Sequence, residues 1–162
     1  MFTDKLLNVA SDVLVACRSK KLKLVTAESC TGGLISGCLT TIAGSSDVFE
    51  RGFITYTNQS KSELLGVPTK LFMIAGAVSE EVARIMAEGA LRNSVAQLSI
   101  AVTGVAGPDG GTEEKPIGLV HIASAGEGLV TLHESYIFRG DRDMVRRKTV
   151  LAALELLLVR MS

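Results

Sequence analysis

Tryptophan does not occur among the 162 residues, and aromatic side chains make up only 4% of them. Single-stranded nucleic acids are held by stacking bases on aromatic faces, so such a surface is hard to build here. Net charge is lacking too. Seventeen basic residues cancel seventeen acidic ones, and no global field draws in nucleic acid or an anionic membrane. No apolar run reaches the roughly 18 residues of a membrane-spanning helix. Neither a nucleic acid nor a membrane is expected as a partner. The opening MFTDKLLNVASDVL lacks a basic start, an unbroken apolar block and a small-residue cleavage site, and it reads as an amphipathic helix, not a signal peptide. Cysteine is scarce. Cys17, Cys30 and Cys38 form no C-x-x-C pair and leave an odd one over, which points to reduced thiols in a cytoplasm. The two histidines and three cysteines supply no zinc spacing, and H-E-x-x-H is absent, so neither a metal nor a cofactor is expected.

What is present is an ordinary globular composition, 47% hydrophobic and 21% charged, in a length that suits one domain spanning 1–162. Leu6, Leu7, Ala10, Val13, Leu14 and Cys17 recur at helical spacing and predict a helix over 3–19. A strand is expected at 22–26, then a helix through Leu34, Ile35, Cys38, Leu39 and Ile42 that Gly44-Ser45-Ser46 stops. Residues 51–57, with Phe53, Ile54, Thr55 and Tyr56, read as a strand. Asn58 is expected to cap a short helix ending near Gly66, with Pro68 just beyond. Ser79 opens another helix, whose Glu80 and Glu81 suit its positive dipole end. A strand at 97–103 leads into the loop GVAGPDGGTEEKP, and 118–124 and 129–138 read as a hairpin. Asp141 caps a last helix. The order α-β-α-β-α-α-β-β-β-α predicts an α/β fold, a three-layer α/β/α single domain with a mixed β-sheet.

Several stretches could carry chemistry. In TAESCTGGLISG two nucleophiles, Ser29 and Cys30, sit where a strand turns toward a helix. The G-x-S-x-G elbow is missing and both histidines lie in distant strands, so a histidine triad is disfavoured. A lysine made neutral by burial can activate a nucleophile instead. Lys61, just after a strand bearing Tyr56, is the candidate; the alternative is a surface lysine in a short helix. Gly32-Gly33 and Gly104 to Gly111 could present N–H groups to an anion, or be plain turns. GDRDMVRR could clamp a phosphate or be a solvated helix face. His121 and His133 are equidistant from Glu127, so a symmetric hairpin would set them directly opposite each other, as a pair without an evident third metal ligand.

Together the segments say more. TAESCTGG, GSSDVFERGFITYTNQSK followed by LLGV, TGVAGPDGGTEEKPIG and FRGDRDMVRRK occur in one order, and the set resembles the C-terminal domain family of the competence/damage-inducible protein CinA over essentially the whole chain. Stand-alone members of that family include nicotinamide mononucleotide (NMN) deamidases, whereas larger members carry an extra N-terminal domain. The length here suits the single-domain, deamidase-type form. The resemblance implies hydrolysis of NMN to nicotinate mononucleotide and ammonia, with NMN as small-molecule partner. It assigns the nucleophile to Ser29 and matches Tyr56 and Lys61 as its helpers, with Tyr56 expected to bridge the two and relay the proton. Glu28, Thr31, Gly32, Gly33, Thr103, Gly104, Gly107, Arg142 and Arg146 are the expected substrate-binding residues, the N–H groups near Thr31, Gly32 and Gly33 facing the oxyanion. A homo-oligomer, a dimer, is the expected assembly. Asp109 departs from the small residue common at its place in the family. A non-catalytic module tied to competence or DNA damage, and an amidase for another small amide, remain as alternatives.

Overall fold

The computed structural model describes residues 1–162. Eleven helices and strands follow in order: α1 (Asp4–Ser19), β1 (Leu24–Glu28), α2 (Leu34–Thr40), β2 (Phe49–Ile54), α3 (Asn58–Leu65), α4 (Thr69–Ile74), α5 (Glu80–Arg92), β3 (Leu98–Gly104), β4 (Leu119–Gly126), β5 (Leu129–Ile137) and α6 (Arg142–Met161). The strands make one five-stranded sheet in the order β2-β1-β3-β4-β5. β2, β1 and β3 run parallel, and β4 and β5 add antiparallel. The mixed sheet is therefore as expected.

Successive side chains on a strand point to opposite faces, and the inner strands use both faces for packing. Leu24 and Ile100 join a core of 25 buried residues beneath α1, α2 and α6, whereas Val25 and Ala101 join one of 13 beneath α3 and α5. Helices cover both sides, giving three layers. α1 turns Leu6, Ala10, Val13, Leu14 and Cys17 inward, the period its sequence carries. No helix is long and apolar enough to cross a membrane.

This topology fixes where a site can form. The β1-to-β2 crossover passes over one face through α2, and the β2-to-β3 crossover over the other through α3 and α5. The chain reverses direction of winding between β1 and β3, and the carboxyl ends of such strands leave a crevice open. Ser29, the 55–57 turn and the loop after Gly104 all lie at those ends.

Four sequence expectations change. α4 was not foreseen. Pro68 reads as the stop of the preceding helix, but it occupies the N-cap position of the next, a six-residue helix too short to show periodicity. Thr57, not Asn58, caps α3: its Oγ1 accepts from Ser60 N at 3.1 Å while Ser60 Oγ accepts from Thr57 N at 3.2 Å. β2 ends at Ile54 instead of running to Thr57, so the carbonyls of Thr55 and Tyr56 lie beyond the strand. A register shift near Ser124 and Gly126 pairs His121 with Ser135 and His133 with Ala123, so the histidines are diagonal and not directly opposed. Their rings still stack, centroids 5.2 Å apart, with Nδ1 of His121 2.9 Å from Nε2 of His133. Burial, first among the causes, lowers both imidazole pKa values.

One glycine sets how closely the helices of one layer pack. A Cβ on Gly89 of α5 would stand 2.0 Å from the carbonyl oxygen of Leu65. Backbone cannot retreat as a flexible side chain can. Alanine's helix propensity is worth about 1 kcal/mol over glycine, and a clash of this kind costs about 1–3 kcal/mol or more. Gly89→Ala is therefore expected to lower the unfolding free energy by about 1–2 kcal/mol in a urea titration, against the direction that propensity alone predicts.

Candidate active site

β1 delivers Glu28 into the interior, with none of its surface exposed. Its two carboxylate oxygens accept five hydrogen bonds: from Thr31 Oγ1, Gly33 N and Ile35 N on Oε2, and from Ser36 N and Ser36 Oγ on Oε1, at 2.7–3.0 Å. Neither oxygen is left for a ligand. Glu28 is the internal cap of the Ser29–Gly33 turn and of α2. It is not a substrate-binding residue. The Thr31 side chain is fully buried and bound to that carboxylate, so it does not line the crevice.

The turn holds Ser29 facing the crevice. Ser29 N donates to Val102 O at 3.1 Å, tying the turn to β3 from behind, and Gly32 N donates to Ser29 O at 3.1 Å. Gly32 and Gly33 have φ of +58° and +99°, a backbone conformation that glycine adopts without a Cβ penalty. Their N–H groups are spent on Ser29 O and Glu28 Oε2. That removes them as oxyanion donors, contrary to the sequence expectation. Cys30 N and Thr31 N make no main-chain bond in the turn, and of the two residues Cys30 lines the crevice.

Against Ser29 lies Lys61, the largest fully buried side chain, with 1% of its surface exposed. Its Nζ is 2.9 Å from Ser29 Oγ, 2.7 Å from Thr55 O and 3.4 Å from Tyr56 O. No carboxylate pairs with it. Burial pushes its pKa down to about 8, since desolvation disfavours the ammonium. A neutral amine has two N–H groups and one lone pair. The two carbonyls beyond the early end of β2 take the N–H groups, and the lone pair is left for the Ser29 hydroxyl proton. Cys30 has no such partner. Burial raises its thiol to about 12, so the thiolate is suppressed.

A crevice of about 250 Å³ opens over this pair. Ser29, Cys30 and Lys61 form its floor; Thr103, Gly104 and Gly107 of the β3 end and the following loop form one wall. Tyr56 and Arg142 stand at the rim. Arg142 Nη2 donates to Tyr56 Oη and Nη1 to Gly107 O, both at 2.7 Å. The Tyr56 phenol is thus held away from the Ser29–Lys61 contact, which it touches only through its main-chain carbonyl. As drawn from the sequence, the phenol bridge is not there. Arg146 also differs from expectation. Its Nε and Nη2 donate to Cys30 O and Thr31 O at 3.1 and 3.0 Å, behind the turn and outside the crevice.

Sequence reasoning missed a further stretch of the lining, Ala77 and Val78. Three side chains hold the carbonyls leading to it: Lys115 Nζ on Ala75 O, Ser79 Oγ on Gly76 O at 2.9 Å, and Thr103 Oγ1 on Ala77 O at 2.9 Å. Alanine and valine carry no chemical signal that could have marked them. No group of three or more His, Cys, Asp or Glu side chains comes together.

The site is a buried serine–lysine contact at the carboxyl ends of parallel strands in an α/β domain, with no histidine in its lining. A family model described as the CinA C-terminal domain matches residues 6–161, and the chain belongs to that family. It is 51% identical over 138 residues to a putative competence-damage inducible protein of Caldicellulosiruptor bescii, covering 85% of this chain and 33% of that one. It thus spans about a third of the length of several curated relatives that it matches. A nicotinamide-nucleotide amidohydrolase, PncC, of Escherichia coli K12 is 45% identical over 160 residues, 97% of this chain and 95% of that protein. Among solved structures, the competence/damage inducible protein CihA from Agrobacterium tumefaciens superposes with a TM-score of 0.96 at 46% identity, covering 98% and 97% of the two chains.

The burial of Lys61 has a consequence for stability. Its folded pKa of about 8 lies below the unfolded value of about 10.4. Between those values the unfolded chain binds more protons, so this residue's contribution to stability rises with pH across that window and is flat below it. The full shift corresponds to about 3 kcal/mol. Lys61→Met removes the titration. The unfolding free energy of the wild type minus that of Lys61→Met is therefore expected to be larger at pH 10 than at pH 7, measured by urea unfolding at both.

Proposed function

We propose that the protein is a nicotinamide-nucleotide amidase that hydrolyses NMN to nicotinate mononucleotide and ammonia, in pyridine nucleotide recycling. One observation carries the reading: the 2.9 Å contact between Ser29 Oγ and a buried, carboxylate-free Lys61 Nζ. The near full-length similarity to an amidohydrolase named for this substrate supports the choice of amide.

The geometry supports the following chemistry. Ser29 Oγ attacks the carboxamide carbon as its proton passes to Lys61 Nζ, and the carbonyl electron pair moves to oxygen. The Cys30 N–H, which makes no main-chain bond and belongs to a residue lining the crevice, is the donor for that oxygen. Lys61, now an ammonium held by Thr55 O and Tyr56 O, returns its proton to the amide nitrogen, and ammonia departs. Water then attacks the Ser29 ester, giving its proton to Lys61, which passes it to Ser29 Oγ as the carboxylic acid leaves. Tyr56, Arg142, Thr103, Gly104 and Gly107 bind the nucleotide at the rim and wall. Arg142, with donors left after its two present bonds, is the cation for the phosphate.

Ser29→Ala is expected to abolish ammonia release from NMN, while Cys30→Ala keeps most of it, each variant unfolding at close to the native temperature. A dead but folded Cys30→Ala beside an active Ser29→Ala would overturn the assignment. Because the neutral lysine is the base, kcat/KM should rise with pH along a limb near 8 and level off above it. Nicotinamide riboside, which lacks the phosphate, should have kcat/KM at least about tenfold below that of NMN, since a charge-assisted hydrogen bond is worth about 1.5–3 kcal/mol. Equal turnover of the two would remove the phosphate from the account.

A further inference from the structure

We propose that Arg146 is a positioning residue for the nucleophile, acting on the Ser29 turn from behind and not on the substrate. This rests on the serine–lysine reading of the site, though not on NMN as the substrate. α6 places Arg142 and Arg146 one turn apart, on the same helix face. The first reaches forward to the crevice rim, to Gly107 O and Tyr56 Oη. The second reaches back to two consecutive carbonyls, Cys30 O at 3.1 Å through Nε and Thr31 O at 3.0 Å through Nη2. The next residue, Arg147, pairs with Asp143, whereas Arg146 makes no ion pair.

Those two carbonyls follow the nucleophile directly. The rest of the turn is anchored elsewhere: Ser29 N on Val102 O, Gly32 N on Ser29 O, and Gly33 N on Glu28. Thr31 O also accepts from Leu34 N at 3.2 Å, whereas Cys30 O is held by Arg146 alone. The Cys30 contact is half-buried, and there a carbonyl without a donor costs free energy. A planar guanidinium can hold two adjacent acceptors at once in a fixed fork, and an ammonium cannot. The cation also polarises the peptides that carry the Cys30 and Thr31 carbonyls, and an un-neutralised charge there favours negative charge developing above Ser29. Both effects bear on the transition state and neither touches the bound substrate.

The expected signature is a fall in kcat of tenfold or more in Arg146→Ala, with KM changed by less than threefold. The alkaline limb should stay near pH 8, because Lys61 keeps its three contacts. Guanidinium or ethylguanidinium at millimolar concentration should restore a measurable part of the lost rate, since the guanidinium seat remains. Arg146→Lys, which keeps the charge without the fork, should fall between the wild type and Arg146→Ala and not respond to guanidinium; it serves as the reporter if the alanine variant does not fold. The same series run as the rate of Ser29 labelling by a small fluorophosphonate, read by mass spectrometry, should show matching losses and matching rescue. That arm needs no amide substrate, so its failure counts against Arg146 and a failure with NMN alone counts against the substrate. Labelling of Ser29 in Arg146→Ala at the wild-type rate, or a loss of rate in the folded variant that guanidinium leaves unchanged, overturns the proposal. So does a KM rise that accounts for the whole loss of kcat/KM.

Discussion

A lysine nitrogen with 1% of its side chain in water, no carboxylate beside it and a serine hydroxyl at 2.9 Å is the constraint around which the site is arranged. Burying an ammonium without a counter-ion is costly, and a protein relieves the cost by letting the group lose its proton. The burial that would otherwise destabilise the fold brings the pKa to about 8, and in the proposed mechanism that is what makes Lys61 a base. Two main-chain carbonyls, Thr55 and Tyr56, are free to accept from that amine because β2 stops at Ile54. An unremarkable strand end, in other words, decides the orientation of the base.

The nucleophile's side is built by the opposite device. There a buried carboxylate, Glu28, is satisfied five times over by the turn it belongs to, and a cation, Arg146, grips the carbonyls of that turn. Charged groups that a reader of the sequence assigns to the substrate are thus internal supports. Polar atoms that a site needs for shape are bonded inward, and the surface left for a ligand is made of Ser29, Cys30, Lys61, the β3 end with its following loop, Ala77 and Val78, and the polar rim of Tyr56 and Arg142. Rigid support behind a reactive group is what holds its geometry to the tolerance that catalysis demands.

Much of this was legible in the residues. Alternating apolar periodicities gave the helices and the layered sheet, because each element buries one face or two and writes that in its spacing. α4 was lost because six residues after Pro68 contain less than two turns. The site divides in the same way. Ser29 and Lys61 stand out by chemistry and motif, and the fold brings them together over 32 positions. The direction each side chain faces is tertiary information. Glu28 and Ser29 are consecutive on the chain, yet one points into the core and the other into the crevice, and no spacing rule separates Arg142 at the rim from Arg146 behind the turn. Ala77 and Val78 wall the crevice through their position alone, and their residue types announce nothing.

The central claim is that burial brings the Lys61 pKa down to about 8, so that a working fraction is neutral near physiological pH and can activate Ser29. The most direct measurement is a titration of the Lys61 side chain itself in the folded protein, following its ε-carbon or ζ-nitrogen resonance by NMR with Lys61→Met to assign the signal. A midpoint near 8 is the predicted result. A midpoint at or above the free-lysine value of about 10.4 would show an ammonium throughout the working range and contradict the account.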